Sequence, residues 1–167
     1  MALIIEDGSG IADAESYATT EQLADYAAKF GVTIPDDMLA QEALLRRSAL
    51  VMNGMKWKGQ RAHKEQALAW PREGVQVDGA YKRSNYIPRE IFYGQLALAA
   101  EIHKDDLTPP ETRQGAVIRK RVEGAVEVEY AQINNTSGRL LPAAPNRPSQ
   151  TQFADYLDRR GLFAVRA

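Results

Sequence analysis

Residues 66–75, QALAWPREGV, constrain this chain more than any other stretch, because they carry a large aromatic into a proline and then release the backbone through a glycine. Pro71 bars a helix from running through Trp70 and biases that residue toward extended backbone, while Gly74 permits a turn that a side chain would obstruct. Trp70 is therefore read as the anchor of a fixed corner. A buried indole removes roughly 150–250 Å² from water, worth about 4–6 kcal/mol as an upper bound. Arg72 follows with a fork of donors suited to neighbouring carbonyls or to a carboxylate. Trp70, Pro71, Arg72 and Gly74 are thus structural expectations with no chemistry of their own.

Around that corner the periodicity is mostly helical. Thr19 and Gln22 have capping-box spacing ahead of Leu23, Tyr26, Ala27 and Phe30, and Gly31 follows where a helix commonly stops. Asp36 or Asp37 can cap a second helix through Met38, Leu39, Leu44, Leu45, Ala49, Met52 and Met55, which ends at Asn53-Gly54. Its apolar positions cover more than one stripe, so it is the expected central helix. Arg46 and Arg47 sit in its middle, and one of them is expected to face inward against a carboxylate, since a lone buried guanidinium is too costly. Asp78-Gly79 marks a turn, and Pro88 opens a third helix to about His103, with Ile91, Gln95, Leu98 and Ile102 in line. Asp105, Asp106 and Pro109-Pro110 are expected to end it.

The period then changes to alternation, giving a β-hairpin over about 116–131 with its turn at Glu123-Gly124. Prolines at 142, 145 and 148, with Asn134-Asn135 and Gly138, make the following stretch a tether. A short helix is expected from Ser149 to Gly161. The fold class that results is mainly α: a small helical bundle with a β-hairpin and an extended C-terminal arm. A core spans residues 1–131, and the tether with its short helix and tail spans 132–167.

Composition narrows the function. With 21 basic and 22 acidic residues the totals give nucleic-acid binding no support, and the absence of cysteine removes disulfides, thiolate metal sites and thiol nucleophiles. His63 and His103 belong to no ligand-spaced cluster, and the acidic pairs lie where helix capping explains them. The GSG at residues 8–10 lacks the third glycine of a phosphate turn and is flanked by Asp7 and Asp13. No catalytic residue, cofactor or metal is expected, so the chain reads as a non-enzyme. No apolar run reaches membrane-spanning length, and no basic region precedes the short apolar start, so neither a membrane partner nor a signal peptide is expected.

What remains is a set of sticky extremities. Leu3, Ile4 and Ile5 form a β-prone arm. Phe153, Tyr156 and Leu157 line one side of the last helix, and Leu162, Phe163, Val165 and Arg166 form a tail; these either fold back on the core or dock on a partner. On the hairpin, Arg119, Lys120 and Arg121, helped by Lys56, Lys58, Arg61 and Lys64, either touch a phosphate backbone or form a solvated strand face paired with Glu127 and Glu129.

The opening IIEDGSGIADAESYATTEQLADYAAKFG, with Asp7, Gly8, Ala14, Ser16, Tyr17, Tyr26 and Gly31, resembles that of tailed-phage head–tail connector (adaptor) proteins. The likeness continues through ALLRRSALVMNGMKWKGQRA, QALAWPREGV, Asp78-Gly79, Ile87-Pro88 and GAVEVEY, to about Tyr130. Members of that family are often described as DnaT-like single-stranded-DNA-binding proteins, and a replication-type single-strand binder is the alternative reading. The resemblance to connectors implies a mostly helical subunit forming a homo-oligomeric ring of twelve beneath the portal protein. Such a ring is assembled in the host cytoplasm, resides at the head–tail junction of the virion and meets a tail-side connector, stopper or tail terminator. DNA passes through its middle with transient, non-specific contact. A ring built from one heterologous contact needs two different sticky surfaces per subunit, for which the arm and the tail are candidates. Leu162, Phe163, Val165 and Arg166 are expected to dock on the portal or a neighbour, and Arg119, Lys120 and Arg121 to face the channel or the subunit interface.

Overall fold

Thr19 and Gln22 complete the predicted capping box, opening α1 (Thr20–Phe30), which closes at Gly31 in the left-handed region. The computed structural model describes residues 3–107 and 147–158 in full and residues 117–123 and 125–130 as backbone. Asp37, of the two candidate caps, accepts from the Ala40 amide and starts α2 (Met38–Asn53). Two short antiparallel ribbons follow, β1 (Gln60–Arg61) with β2 (Arg72–Glu73) and β3 (Gln76–Val77) with β4 (Ala80–Tyr81). Asp78 and Gly79, both at positive φ, make the tight turn of the second ribbon. Then come α3 (Arg89–Leu107), the hairpin β5 (Val117–Glu123) and β6 (Ala125–Tyr130), and α4 (Pro148–Phe153). The chain is mainly α with a β-hairpin, as its periodicity implies.

The central helix is α3 and not α2. α3 is buried from Gly94 through Ala100 and separates two apolar clusters. Its Ile91 and Leu98 face Trp57, Trp70, Val75 and Phe153. Leu96, Ala97 and Ala99 face Leu23, Leu44 and Leu45 of the other two long helices. Glycine and alanine dominate the buried run because small side chains let neighbours approach from several directions. α2, by contrast, leaves Met38, Leu39, Leu50 and Val51 exposed, Leu50 by 72%. Between the clusters Gln95 acts as a polar bolt. Its side chain accepts from the Tyr17 amide at 2.9 Å and donates to Ser16 Oγ at 3.0 Å and the Leu45 carbonyl at 3.1 Å.

Helix α3 also runs past the predicted stop at His103. Asp105 and Asp106 do not break it, because each has an arginine partner: Arg147 at 2.7 Å and Arg47 on the surface. Arg46 is the inward arginine of its pair. It is half-buried and bridges Glu15, at 3.1 Å, and Glu42, also at 3.1 Å, tying the N-terminal segment to α2. The Arg46 hydrogen bond holds the Glu15 carboxyl below its ordinary range, and Arg47 does the same to Asp106. Carboxyls depressed in the folded state contribute stability that is present above their unfolded values and is lost as pH falls through the folded ones. The melting temperature is therefore expected to drop below about pH 4, and Arg46→Met to flatten that drop, measured by thermal melts between pH 7 and pH 3.

Candidate functional site

The corner at Trp70 is built as its residues require. Trp70 is fully buried, its amide donates to the Tyr17 hydroxyl at 2.9 Å, and its ring meets Trp57 edge-on at 6.0 Å. The Trp70-Pro71 peptide is cis, and Gly74 takes a φ of 70°. Burial pushes the Tyr17 phenol well above its ordinary value, so it stays protonated as part of the scaffold. Arg72 uses its fork on carbonyls, donating to Lys58, Ala69 and Gly59 at 2.7–3.1 Å. Burial, with Arg61 beside it, lowers its pKa. Gln66 completes the corner, donating to the Leu68 and Pro71 carbonyls and accepting from the His63 amide.

Against this corner lies the last helix, where Phe153, Tyr156 and Leu157 take the first of their two alternatives and fold back on the core in place of a partner. Phe153 and Tyr156 are buried in the chain's own core, and Leu157 packs half-buried beside them. The Phe153 ring stands edge-on to Trp57 at 5.1 Å and covers Gly94; Tyr156 stands edge-on to Trp70 at 5.6 Å and donates to Glu90 at 2.9 Å. The backbone is stitched on both sides of Trp57, Lys58 donating to the Tyr156 carbonyl and Asp158 to that of Lys56. Ser149 and Arg147 reach Glu101 of α3. An indole pair with an open flank recruits the nearest aromatic wedge, and this chain supplies its own. Helix α4 is also shorter than expected, ending at Phe153. Leu162, Phe163, Val165 and Arg166, and the expected boundary near residue 131, fall outside the described residues.

The N-terminal arm is partly absorbed. Leu3 packs on the α1–α2 cluster, Ile5 bridges Ser16 in parallel, and Ile4 keeps its side chain outward. The GSG turn proves to be an anion cradle already filled from within. Glu6 is buried and accepts from the amides of Gly8 and Gly10 at 2.9 Å and of Ile11 at 2.8 Å. Gly8 lies against the Asn85 backbone and Gly10 against the His63 ring, so the cradle braces both ribbon-side loops.

Charge is sorted rather than mixed. Residues 56–83 hold seven cations (Lys56, Lys58, Arg61, Lys64, Arg72, Lys82 and Arg83) and three carboxylates (Glu65, Glu73 and Asp78), a balance of 7 − 3 = +4. Among the described residues none of these cations forms an ion pair; on the helical side Lys29, Arg46, Arg47 and Arg147 do, and Arg89 instead lies over the Tyr93 ring. The near-zero total conceals this separation. Exposed aromatics lie in or beside the same stretch: Tyr81 of β4, 75% exposed, and Tyr86. On the hairpin the register sets Arg119 opposite Glu129 and Arg121 opposite Glu127, with Lys120 opposite Val128. That is the order a charge-alternating strand face takes.

Among the described residues no group of three or more histidine, aspartate or glutamate side chains is placed to hold a metal ion, and no helix is long and apolar enough to cross a membrane. His63 lies on an exposed loop and His103 near the end of α3. Spacing alone had no means of finding Glu6, Gln95 or Gln66. The available signal was a polar residue of hydrogen-bonding type set inside an otherwise apolar or glycine-rich run.

A family model described as "Putative DnaT-like ssDNA binding protein" covers residues 1–165. Neither a curated protein nor a solved structure matches the chain.

Proposed function

We propose that this chain, which belongs to the DnaT-like ssDNA-binding family, is a non-catalytic assembling subunit: a tailed-phage head–tail adaptor that forms a ring beneath the portal, with DNA passing through the middle. The observation that carries this reading is the outer face of α2. Leu39, Ala43, Leu50 and Val51 recur there at helical spacing and are all exposed. Arg47, paired with Asp106, is the one charge on that line, and exposed apolar side chains on either side of it mark a protein contact. Two further features support assembly. The hairpin β5–β6 is a two-stranded sheet whose ladder joins no other described strand, so its edges can pair with a neighbour. The resemblance of residues 4–31, 43–62 and 66–75 to head–tail connectors points the same way.

Mixing the purified chain with portal protein and weighing the product by native mass spectrometry or imaging tests the proposal. The expected result is a closed ring of many copies on the portal. Leu39→Asp with Leu50→Asp should abolish the ring while lowering the melting temperature by only about 2–4 °C, because both side chains already face solvent and the cost is mainly helix propensity. Truncation after Gly161 should weaken portal association if Leu162, Phe163, Val165 and Arg166 provide the docking tail. A chain that stays monomeric with portal present overturns the reading.

The second reading, a single-strand binder of the replication type, is favoured by the sorted charge on residues 56–83. Titration with oligonucleotides separates the two functions: a steep salt dependence at micromolar affinity favours the binder.

A further inference from the structure

We propose that the paired ribbons β1–β2 and β3–β4 form a platform for the phosphodiester backbone of a single-stranded polynucleotide, with Tyr81 stacking on an unpaired base. This rests on the nucleic-acid reading of the family and assigns it to residues.

The two ribbons are separate two-stranded sheets that adjoin. Arg61 pairs with Arg72 across β1–β2, Lys82 donates its amide to the Val75 carbonyl, and Lys58 reaches the Gln76 carbonyl with its ammonium group at 3.5 Å. Lys58, Arg61 and Lys82 are thereby drawn together, with Arg83 next in the chain. Arg61 and Arg72 stand directly opposite one another in the ladder, an arrangement of like charges that is unfavourable without an anion nearby. Arg72 is committed to three carbonyls, whereas Arg61 gives one donor to the Gln66 carbonyl at 3.3 Å and keeps the rest of its exposed guanidinium free for an anion. The three carboxylates of the stretch do not neutralise the cluster. Glu73 is bonded to Gln60, Asp78 occupies the turn, and Glu65 points to solvent.

Phosphates spaced along a strand suit a row of cations on a rigid ribbon, and a flat aromatic between them offers a surface on which any base can stack. Tyr81 is that aromatic, on β4 and opposite Gln76. Its exposure has no counterpart in the core, where Tyr17 and Tyr156 are buried and hydrogen-bonded.

The test is fluorescence anisotropy of the full chain with an oligothymidylate over a salt series. Lys82→Ser with Arg83→Ser should lower the slope of log affinity against log salt by about 1.4, two phosphate contacts at about 0.7 each. Tyr81→Ala should weaken binding about 5- to 150-fold with the slope unchanged. All three positions lie on the surface or half-buried, and unchanged melting temperatures confirm that the variants fold. If the wild-type chain binds no oligonucleotide at low salt, the nucleic-acid reading and the platform fall together. Should the wild type bind and the ribbon variants match it, while serine at Arg119, Lys120 and Arg121 abolishes binding, the platform alone is overturned and the contact belongs to the hairpin.

Discussion

Replacing Phe153 by alanine is expected to lower the unfolding free energy by about 3–5 kcal/mol, the range for a large aromatic removed from a packed core. For a chain of this size that corresponds to a fall of roughly 6–20 °C in melting temperature. The physical reason is that Phe153 is fully buried between Trp57 and the bare backbone of Gly94. The same contact sets up a sharper test of sign. Within a helix alanine is favoured over glycine by about 0.8–1.0 kcal/mol, so propensity alone makes Gly94→Ala stabilising. A methyl group at Gly94 would lie 2.6 Å from Cζ and 2.7 Å from Cδ1 of Phe153, closer than carbon atoms tolerate. Overpacking of this kind costs about 1–3 kcal/mol, and Gly94→Ala should therefore destabilise. In the Phe153→Ala background the clash is absent and the propensity gain should reappear. Equal effects of Gly94→Ala in both backgrounds, measured by urea denaturation, would show that Phe153 does not sit on Gly94.

The second large effect is expected at Glu6. Glu6→Ala leaves the amides of Gly8, Gly10 and Ile11 without their acceptor, and each buried donor left unmade costs about 1 kcal/mol or more. Gly8 is buried while Gly10 and Ile11 are half-buried and open to water, so the total is about 1–3 kcal/mol. The loop should also loosen its hold on Asn85 and His63, which it touches through Gly8 and Gly10. Hydrogen exchange reports this directly: protection of the amides of Gly8, Gly10 and Ile11 should vanish while that of α3 survives up to global unfolding. Loss of protection spread evenly over the molecule would count against a local cradle.

Local signals were the legible part of this sequence. The capping box at Thr19, the glycine stop at Gly31 and the Asp78-Gly79 turn each depend on residues within four positions of one another, and the structure builds all three. The Trp70 corner was legible for a related reason, since Pro71 and Gly74 act on their own backbone. What spacing could not convey was which helix the others surround. α2 has the more obviously apolar sequence, yet α3 takes the centre because glycine and alanine at 94, 97, 99 and 100 admit neighbours on every side. The partners of Asp105, Asp106 and Glu6 were hidden too, as each is fixed by three-dimensional encounter. Summed charge misled for a different reason: a total near zero carries no record of where cations gather, and here they gather on the ribbons. At the last helix the apolar side chains were recognised, but a wedge for this chain's own tryptophans and a wedge for another molecule share one pattern.

The late position of that wedge has a consequence for how copies of the protein are made. Tyr156 meets Glu90, 66 positions earlier, and Phe153 closes over Trp57 and Gly94. During synthesis from the N-terminus, both tryptophans wait with one flank bare until residues 153–158 have left the ribosome. A nascent or broken chain lacking that last piece displays an aromatic cleft of the kind chaperones and proteases seize.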